Sequence, residues 1–217
     1  MAPAFSAAAF PEPDFPLSHM FGQVITLFLV PLIPGTAMFM HGYSASEIMR
    51  QIRSRRVSVV IAVPKILAVL QKQTLLQYGE SENLPPATRH WILRWWRFRR
   101  LHWAMGWKLW AFIVGGAPLD KGLEDFWLRV GFAVIQGYGL TETAPIVTFN
   151  NPFDTKEGTV GKPVEGVDVK IASDGEILVR GESVTSGYYQ SSAETAKAFE
   201  GGGFAPVISG PLTRLAI

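Results

Sequence analysis

The sequence predicts an α/β protein, a parallel-sheet α/β subdomain followed by part of a small antiparallel β subdomain. Three observations carry this reading. Short apolar runs alternate with helical stretches as far as about residue 136, the pattern of parallel strands joined by right-handed crossovers. Two of those strands run straight into glycine-rich loops. Beyond Pro152 the apolar period shortens to two, around an Asp-Gly turn. With 217 residues, 48% hydrophobic and 18% charged, the chain has enough apolar material for a core and is too apolar to be disordered.

Taken in order, the most apolar stretch is Met20–Met40, interrupted by Gly22, Pro31, Pro34 and Gly35. Its longest unbroken run falls well short of the roughly 20 residues a membrane span needs. It predicts a buried helix over Gln23–Leu29, stopped by Pro31, and a short strand over Ala37–Met40. Ser44-Ala-Ser-Glu47 has the spacing of a capping box and opens an amphipathic helix to about Arg55. Val57–Val63 is β-branched and too short for a helix; a helix follows from Lys65 to about Gln73. Residues 81–90 read as loop, Trp110–Val114 as strand, Asp120–Val130 as helix and Ala133–Gln136 as strand. Val167, Val169 and Ile171, then Ile177 and Val179, alternate with polar residues on either side of Ser173-Asp-Gly-Glu176, an antiparallel hairpin. The change of texture places a boundary near residue 150.

Composition removes several function classes. There is no cysteine, so disulfides, thiolate metal sites and cysteine nucleophiles are excluded. The four histidines, His19, His41, His90 and His102, lack the close pairing of a zinc site. The first ten residues have neither a basic segment nor a long apolar core, so no secretory signal is expected and the cytoplasm is the default location. Residues 1–119 carry 12 Lys/Arg against 5 Asp/Glu, whereas residues 120–217 carry 8 against 13.

The glycine-rich loops are Val114-Gly-Gly-Ala-Pro-Leu119 and Gln136-Gly-Tyr-Gly-Leu-Thr-Glu-Thr143. In an open parallel sheet, ligands bind at the carboxyl ends of strands, where both loops fall. Glycine lets backbone approach a flat or phosphorylated ligand. Thr141 and Thr143 offer hydroxyls, Glu142 a hard oxygen for magnesium, and Tyr138 a ring for stacking. A single such loop more often reflects tight packing alone. The ordered Tyr-Gly-Leu-Thr-Glu-Thr string is far more specific.

At these residues the sequence resembles the AMP-forming acyl-CoA synthetases, the adenylating enzymes that include fatty-acid–CoA ligases. The resemblance begins at Pro16-Leu-Ser-His-Met-Phe-Gly22 and includes Val63-Pro64, Gly115–Leu119 and Gly137–Thr143. It continues through Gly161-Lys-Pro163, Gly175-Glu-Ile-Leu-Val-Arg-Gly181 and Gly187-Tyr-Tyr189. It implies a two-step reaction. A carboxylate attacks the α-phosphate of ATP, giving an acyl-adenylate and pyrophosphate; the thiol of coenzyme A then displaces AMP. It also implies roles. Thr141 and Glu142 would be catalytic, contacting phosphate and holding Mg2+. Gly115, Gly116, Ala117 and Gly137 would line the nucleotide, and Tyr138 would stack on adenine. Gly139 and His19 would border the acyl pocket, although His19 also reads as a helix-entry residue with a satisfied hydrogen bond. The implied substrates are ATP, a medium- or long-chain fatty acid and coenzyme A; nucleic acid is not expected.

The chain departs from the family at both ends. The family's Pro-Lys-Gly phosphate loop, its C-terminal lobe with a catalytic lysine, and its Thr-Gly-Asp are not found. Where Thr-Gly-Asp is expected stands Gly201-Gly-Gly-Phe-Ala-Pro-Val-Ile-Ser-Gly210. Back-translated with allowed codons and shifted by one base, this segment reads Trp-Leu-Arg-Thr-Gly-Asp-Leu-Gly. Phe10-Pro-Glu-Pro-Asp14 similarly shifts to Phe-Leu-Asn-Leu-Ile, an apolar strand. The expected organisation is therefore an aberrant N-terminus over 1–15, an α/β subdomain over 16–150, a partial β subdomain over 151–202 and a frameshifted tail over 203–217. Such a chain would bind adenine nucleotide weakly without completing the reaction.

Residues Arg89–Trp103 interleave arginines with tryptophans, and no acid falls between Arg89 and Lys108. On a helix, Trp91, Trp95, Phe98 and His102 share a face, with Ile92, Trp96 and Trp103 near it, while Arg94, Arg97 and Arg100 lean elsewhere. Two readings stand: a core-packing helix with a solvated arginine face, or peripheral contact with the inner membrane face through residues 89–108. The second gives the alternative function, a non-catalytic remnant that associates with a membrane surface.

Overall fold

The computed structural model describes residues 5–9, 20–40, 44–78, 84–86, 91–151, 158–173, 175–199 and 203–205. The fold is mixed α/β. Two compact units divide it, Met1–Ile135 and Gln136–Ile217, so the division falls ahead of the change of texture near residue 150.

In the first unit, β3 (Val59–Ala62) is buried at all four positions, as a β-branched run covered on both faces must be. It pairs in parallel with β4 (Ala111–Val114) on one side. On its other side lies β1 (Phe5–Ala9), which also pairs in parallel with β2 (Gly35–Phe39). Of the segment expected to be an aberrant N-terminus, residues 5–9 form an interior strand. Ser6, Ala7 and Ala8 are all buried, and their small side chains fit a strand enclosed between two neighbours. The hydrogen-bond ladder passes from Ser58 to Trp110 and from Trp110 to Ala133 at 3.0 and 2.9 Å, reaching the start of β5 (Ala133–Tyr138).

The apolar stretch after residue 20 is a helix of three parts: α1 (Met20–Gln23), a π-helical stretch Val24–Leu29, and α2 (Val30–Leu32). Two expectations fail here. Pro31 does not stop the helix; having no N–H, it sits within the last turn, just after the ladder has widened to π-helical spacing. Nor is the helix buried throughout, since Leu27, Phe28, Leu29 and Leu32 are exposed.

Helix α3 (Ala45–Ser54) starts at Ser44, but the capping box does not form. The Ser44 hydroxyl bonds to that of Ser46, and the Glu47 carboxylate turns outward to Arg50 and Gln51. Helix α4 (Pro64–Tyr78) runs past its expected end. The basic aromatic segment forms α5 (Trp91–Arg97) and α6 (Arg99–Ala104), parted at Phe98. Helix α7 (Lys121–Arg129) is capped by Asp120, whose carboxylate accepts the amides of Gly122 and Leu123 at 2.8 and 3.2 Å. These helices pack Ile48, Ile52, Leu67, Leu70, Leu101 and Trp127 onto the sheet residues Val60 and Phe112. None of them is long and apolar enough to cross a membrane.

In the second unit the last residues of β5 pair antiparallel with β6 (Thr148–Phe149), which pairs antiparallel with β7 (Lys162–Pro163). The expected hairpin is present as β8 (Val167–Ile171) and β9 (Ile177–Gly181), with Val169 opposite Val179. Its loop holds Gly175 at φ +89°, a conformation that favours glycine. Helix α8 (Ser192–Ala198) follows. Most of the tail expected to be frameshifted lies outside the described residues, and Gly203–Ala205 are the part of it that is described. Phe204 exchanges two 2.9 Å backbone hydrogen bonds with Val179, and its side chain is buried.

Candidate active site

Strand β5 carries the Gly137–Thr143 string to its place. The chain leaves Tyr138 extended through Gly139 and Leu140, makes one 3-10 turn over Thr141–Thr143, and exits through Ala144 in the left-handed region, φ +55°. Thr143 closes the turn. Its hydroxyl accepts the Leu140 amide at 2.9 Å and donates to the Leu140 carbonyl at 3.0 Å, and the residue is fully buried. The Thr143 hydroxyl is therefore spent on the loop and not offered to a ligand. Gly139 has an equally local reason: a Cβ there would fall 1.8 Å from the Pro145 carbonyl oxygen.

What the loop offers outward is Thr141 and Glu142. Thr141 is exposed, and no hydrogen bond among the described residues holds its hydroxyl. Glu142 is half-buried and anchored twice. Its carbonyl accepts the Thr185 amide at 2.7 Å, and its carboxylate accepts the Tyr188 hydroxyl at 3.1 Å. No lysine or arginine among the described residues pairs with it. The carboxylate is thus open to an added cation.

Tyr188 belongs to the family-like Gly187-Tyr-Tyr189 string, to which the resemblance attaches no role. The Thr185 hydroxyl donates to the Gly187 carbonyl, and the Tyr188 amide donates to the Thr195 hydroxyl. A Cβ on Gly187 would meet the Thr195 methyl at 2.5 Å, so the backbone is pressed against α8. Partial burial, the hydrogen bond to Glu142 and the charges of Glu142 and Glu194 hold the Tyr188 phenol above its ordinary pKa. It stays protonated and able to donate. Both strings are legible in the sequence; the pairing of Tyr188 with Glu142, 46 residues away, is not.

Tyr138 packs its ring against the small core of Val147, Val167, Ile177 and Val179. Its hydroxyl is buried without a hydrogen-bond partner among the described residues, and burial pushes it up to about 12. Gly137 lies opposite Phe149 in the β5–β6 pair, and a Cβ there would fall 3.3 Å from the Thr148 carbonyl oxygen.

Gly115, Gly116 and Ala117 follow β4 in the first unit. Gly115 is buried, with room for no Cβ because the Phe21 ring lies 2.6 Å from where it would be. Gly116, at φ +79°, and Ala117 are exposed. Two of the family-like strings, Pro16–Gly22 and Gly115–Leu119, therefore meet through Phe21. His19 lies outside the described residues.

Among the described residues no three His, Cys, Asp or Glu side chains gather as a metal cage. A lone, unpaired carboxylate suits magnesium, which takes one or two carboxylates and fills its other positions with water and substrate phosphates.

Residues 15–189 match the family model described as AMP-binding enzyme. The chain belongs to that family. Over 107 residues it is 45% identical to the long-chain-fatty-acid–CoA ligase FadD15 of Mycobacterium bovis, a stretch covering 49% of this chain and 18% of the relative. Over 201 residues it is 28% identical to the 2-succinylbenzoate–CoA ligase of Bacillus velezensis, covering 87% of this chain and 35% of the relative. The O-succinylbenzoate coenzyme A synthetase of Bacillus subtilis, solved with ATP and magnesium ion, superposes with a TM-score of 0.65 at 23% identity. That match covers 92% of this chain and 38% of the synthetase. The anthranilate CoA ligase AuaEII, solved with anthranoyl-AMP, gives 0.70 at 19% identity over 93% of this chain and 36% of the ligase. At these identities the structural likeness shows the fold. The chain spans less than two-fifths of the length of each of these relatives.

Proposed function

We propose that the chain carries part of an ATP-dependent, AMP-forming acyl-CoA synthetase acting on a medium- or long-chain fatty acid. The observation that carries this reading is the Thr141–Glu142 pair, held out by a turn locked on Thr143, with an uncompensated carboxylate braced by Tyr188. In the reaction a carboxylate oxygen bonds to the α-phosphorus of ATP and pyrophosphate leaves. The sulfur of coenzyme A then bonds to the acyl carbon and AMP leaves.

Positioning and charge neutralisation dominate such chemistry. The Thr141 hydroxyl would donate to a phosphate oxygen. Glu142 would hold Mg2+, whose contribution when bound is to offset phosphate charge. Gly115–Ala117 would lie along the adenine, Gly116 and Ala117 from exposed positions, and the half-buried Tyr138 ring would stack on it. Gly139 would border the acyl chain. Preference for a fatty acid over an aromatic acid rests on the greater identity to FadD15 in the matched stretch.

Isothermal titration of the 217-residue chain with ATP, with and without magnesium, tests this. The expected result is weak binding that magnesium strengthens in the parent and leaves unchanged in Glu142→Gln. Absence of nucleotide binding, or the same magnesium effect in Glu142→Gln, would overturn it. Pyrophosphate exchange with palmitate, octanoate and 2-succinylbenzoate, in a fusion of this chain with the flanking portions of a relative, ranks the acids.

A further inference from the structure

We infer that the outward face of α5 and α6, extended by the end of α3, docks on an anionic lipid surface; the inference is independent of the proposed catalysis. The two helices are consecutive, parted by Phe98 alone. Phe98 donates to Arg94 and His102 to Phe98, both at 3.0 Å, so the ladder continues across the break. Phe98, Leu101 and His102 turn inward and are buried. At helical spacing the outward side carries Ile92, Leu93, Trp96, Arg99, Arg100 and Trp103. The sequence-based faces need correcting accordingly: Ile92, Trp96 and Trp103 leave the buried side. Arg94 goes the other way, its guanidinium donating to the Leu128 carbonyl.

A helix face turned to water is ordinarily polar. Here Ile92 is 48% exposed, Leu93 51%, Trp96 64% and Trp103 51%. Such a contiguous apolar face marks a contact surface, and its charge says with what. Every charged residue from Pro85 to Leu119 is a cation. The Arg53 guanidinium lies 3.5 Å over the Trp103 ring, bringing in the exposed end of α3 with Arg55 and Arg56. Arg99 lies 5.0 Å over Trp96. Indole rings settle at the headgroup boundary, and arginines beside them reach lipid phosphates. An apolar protein groove would satisfy the rings and strand the cations; an anionic bilayer satisfies both.

The test uses the whole chain and vesicles of phosphatidylcholine with and without phosphatidylglycerol. Co-sedimentation with the anionic vesicles only, reversed by high salt, is expected. So is quenching of tryptophan fluorescence by brominated acyl chains. An Arg99→Gln, Arg100→Gln double variant should bind about 30-fold more weakly, at roughly 1 kcal/mol per cation, while Arg99→Lys, Arg100→Lys keeps binding. Trp96→Ser with Trp103→Ser should lose most of the quenching, with far-UV circular dichroism unchanged. No binding to anionic vesicles, equal binding to neutral ones, or unaltered binding by both double variants would overturn the inference. So would elution as a dimer in which these tryptophans are shielded from acrylamide.

Discussion

The phenol of Tyr188 donates to Glu142 and is the only group among the described residues that holds this carboxylate. Tyr188→Phe keeps the ring and frees the carboxylate to rotate. The expected outcome is a magnesium dependence of nucleotide binding weakened several-fold but not abolished, against its loss in Glu142→Gln, both read by titration. His102 illustrates a different kind of residue, one serving stability alone. It is buried, stacks on Phe132 at 4.3 Å, and through Nε2–H donates to the Val130 carbonyl at 2.9 Å. Burial lowers its pKa to about 4. Between pH 6.5 and 4 the unfolded chain therefore takes up a proton that the folded chain refuses. The stability this residue supplies is complete above pH 6.5 and is lost as pH falls toward 4, a swing of about 3 kcal/mol. Urea midpoints measured across that window should fall steeply for the parent and less for His102→Phe.

At the scale of elements, legibility followed how much of each signal was local. Strands β3, β4, β8 and β9 could be read because β-branched and apolar runs fit a pleated surface wherever they fall. Strand β1 could not. Its Ser-Ala-Ala-Ala core has little strand propensity, and only its place between β2 and β3 makes it a strand. Both the Thr141–Glu142 presentation and the spent hydroxyl of Thr143 arise within one turn, yet only the first was legible. The second depends on an atom-level choice between ligand and backbone. The capping box at Ser44 failed because Glu47 found Arg50, within one turn, at 2.7 Å. Asp120 had no such competitor. Removing its cap from α7 with Asp120→Ala should cost about 1 kcal/mol, measurable by chemical denaturation, whereas Ser44→Ala should cost almost nothing.

Across the whole molecule, each unit owns a core. That of Met1–Ile135 gathers residues from four helices and the sheet; that of Gln136–Ile217 centres on Val147, Val167, Ile177 and Val179. A further buried residue of this unit lies in the segment expected to be frameshifted and bonds to Val179 of that core. Phe204 is 2% exposed, pairs with Val179 through both backbone groups, and lies 5.5 Å from the Phe199 ring. Phe204→Ala should therefore destabilise the second unit by about 3 kcal/mol. Hydrogen exchange reads this unit by unit. Amides of β8 and β9 should exchange faster in the variant, while those of β3 and β4 keep the parent's protection. Equal acceleration in both sets would mean that the units unfold together. No acceleration in either would mean that Phe204 contributes nothing to the stability of the unit.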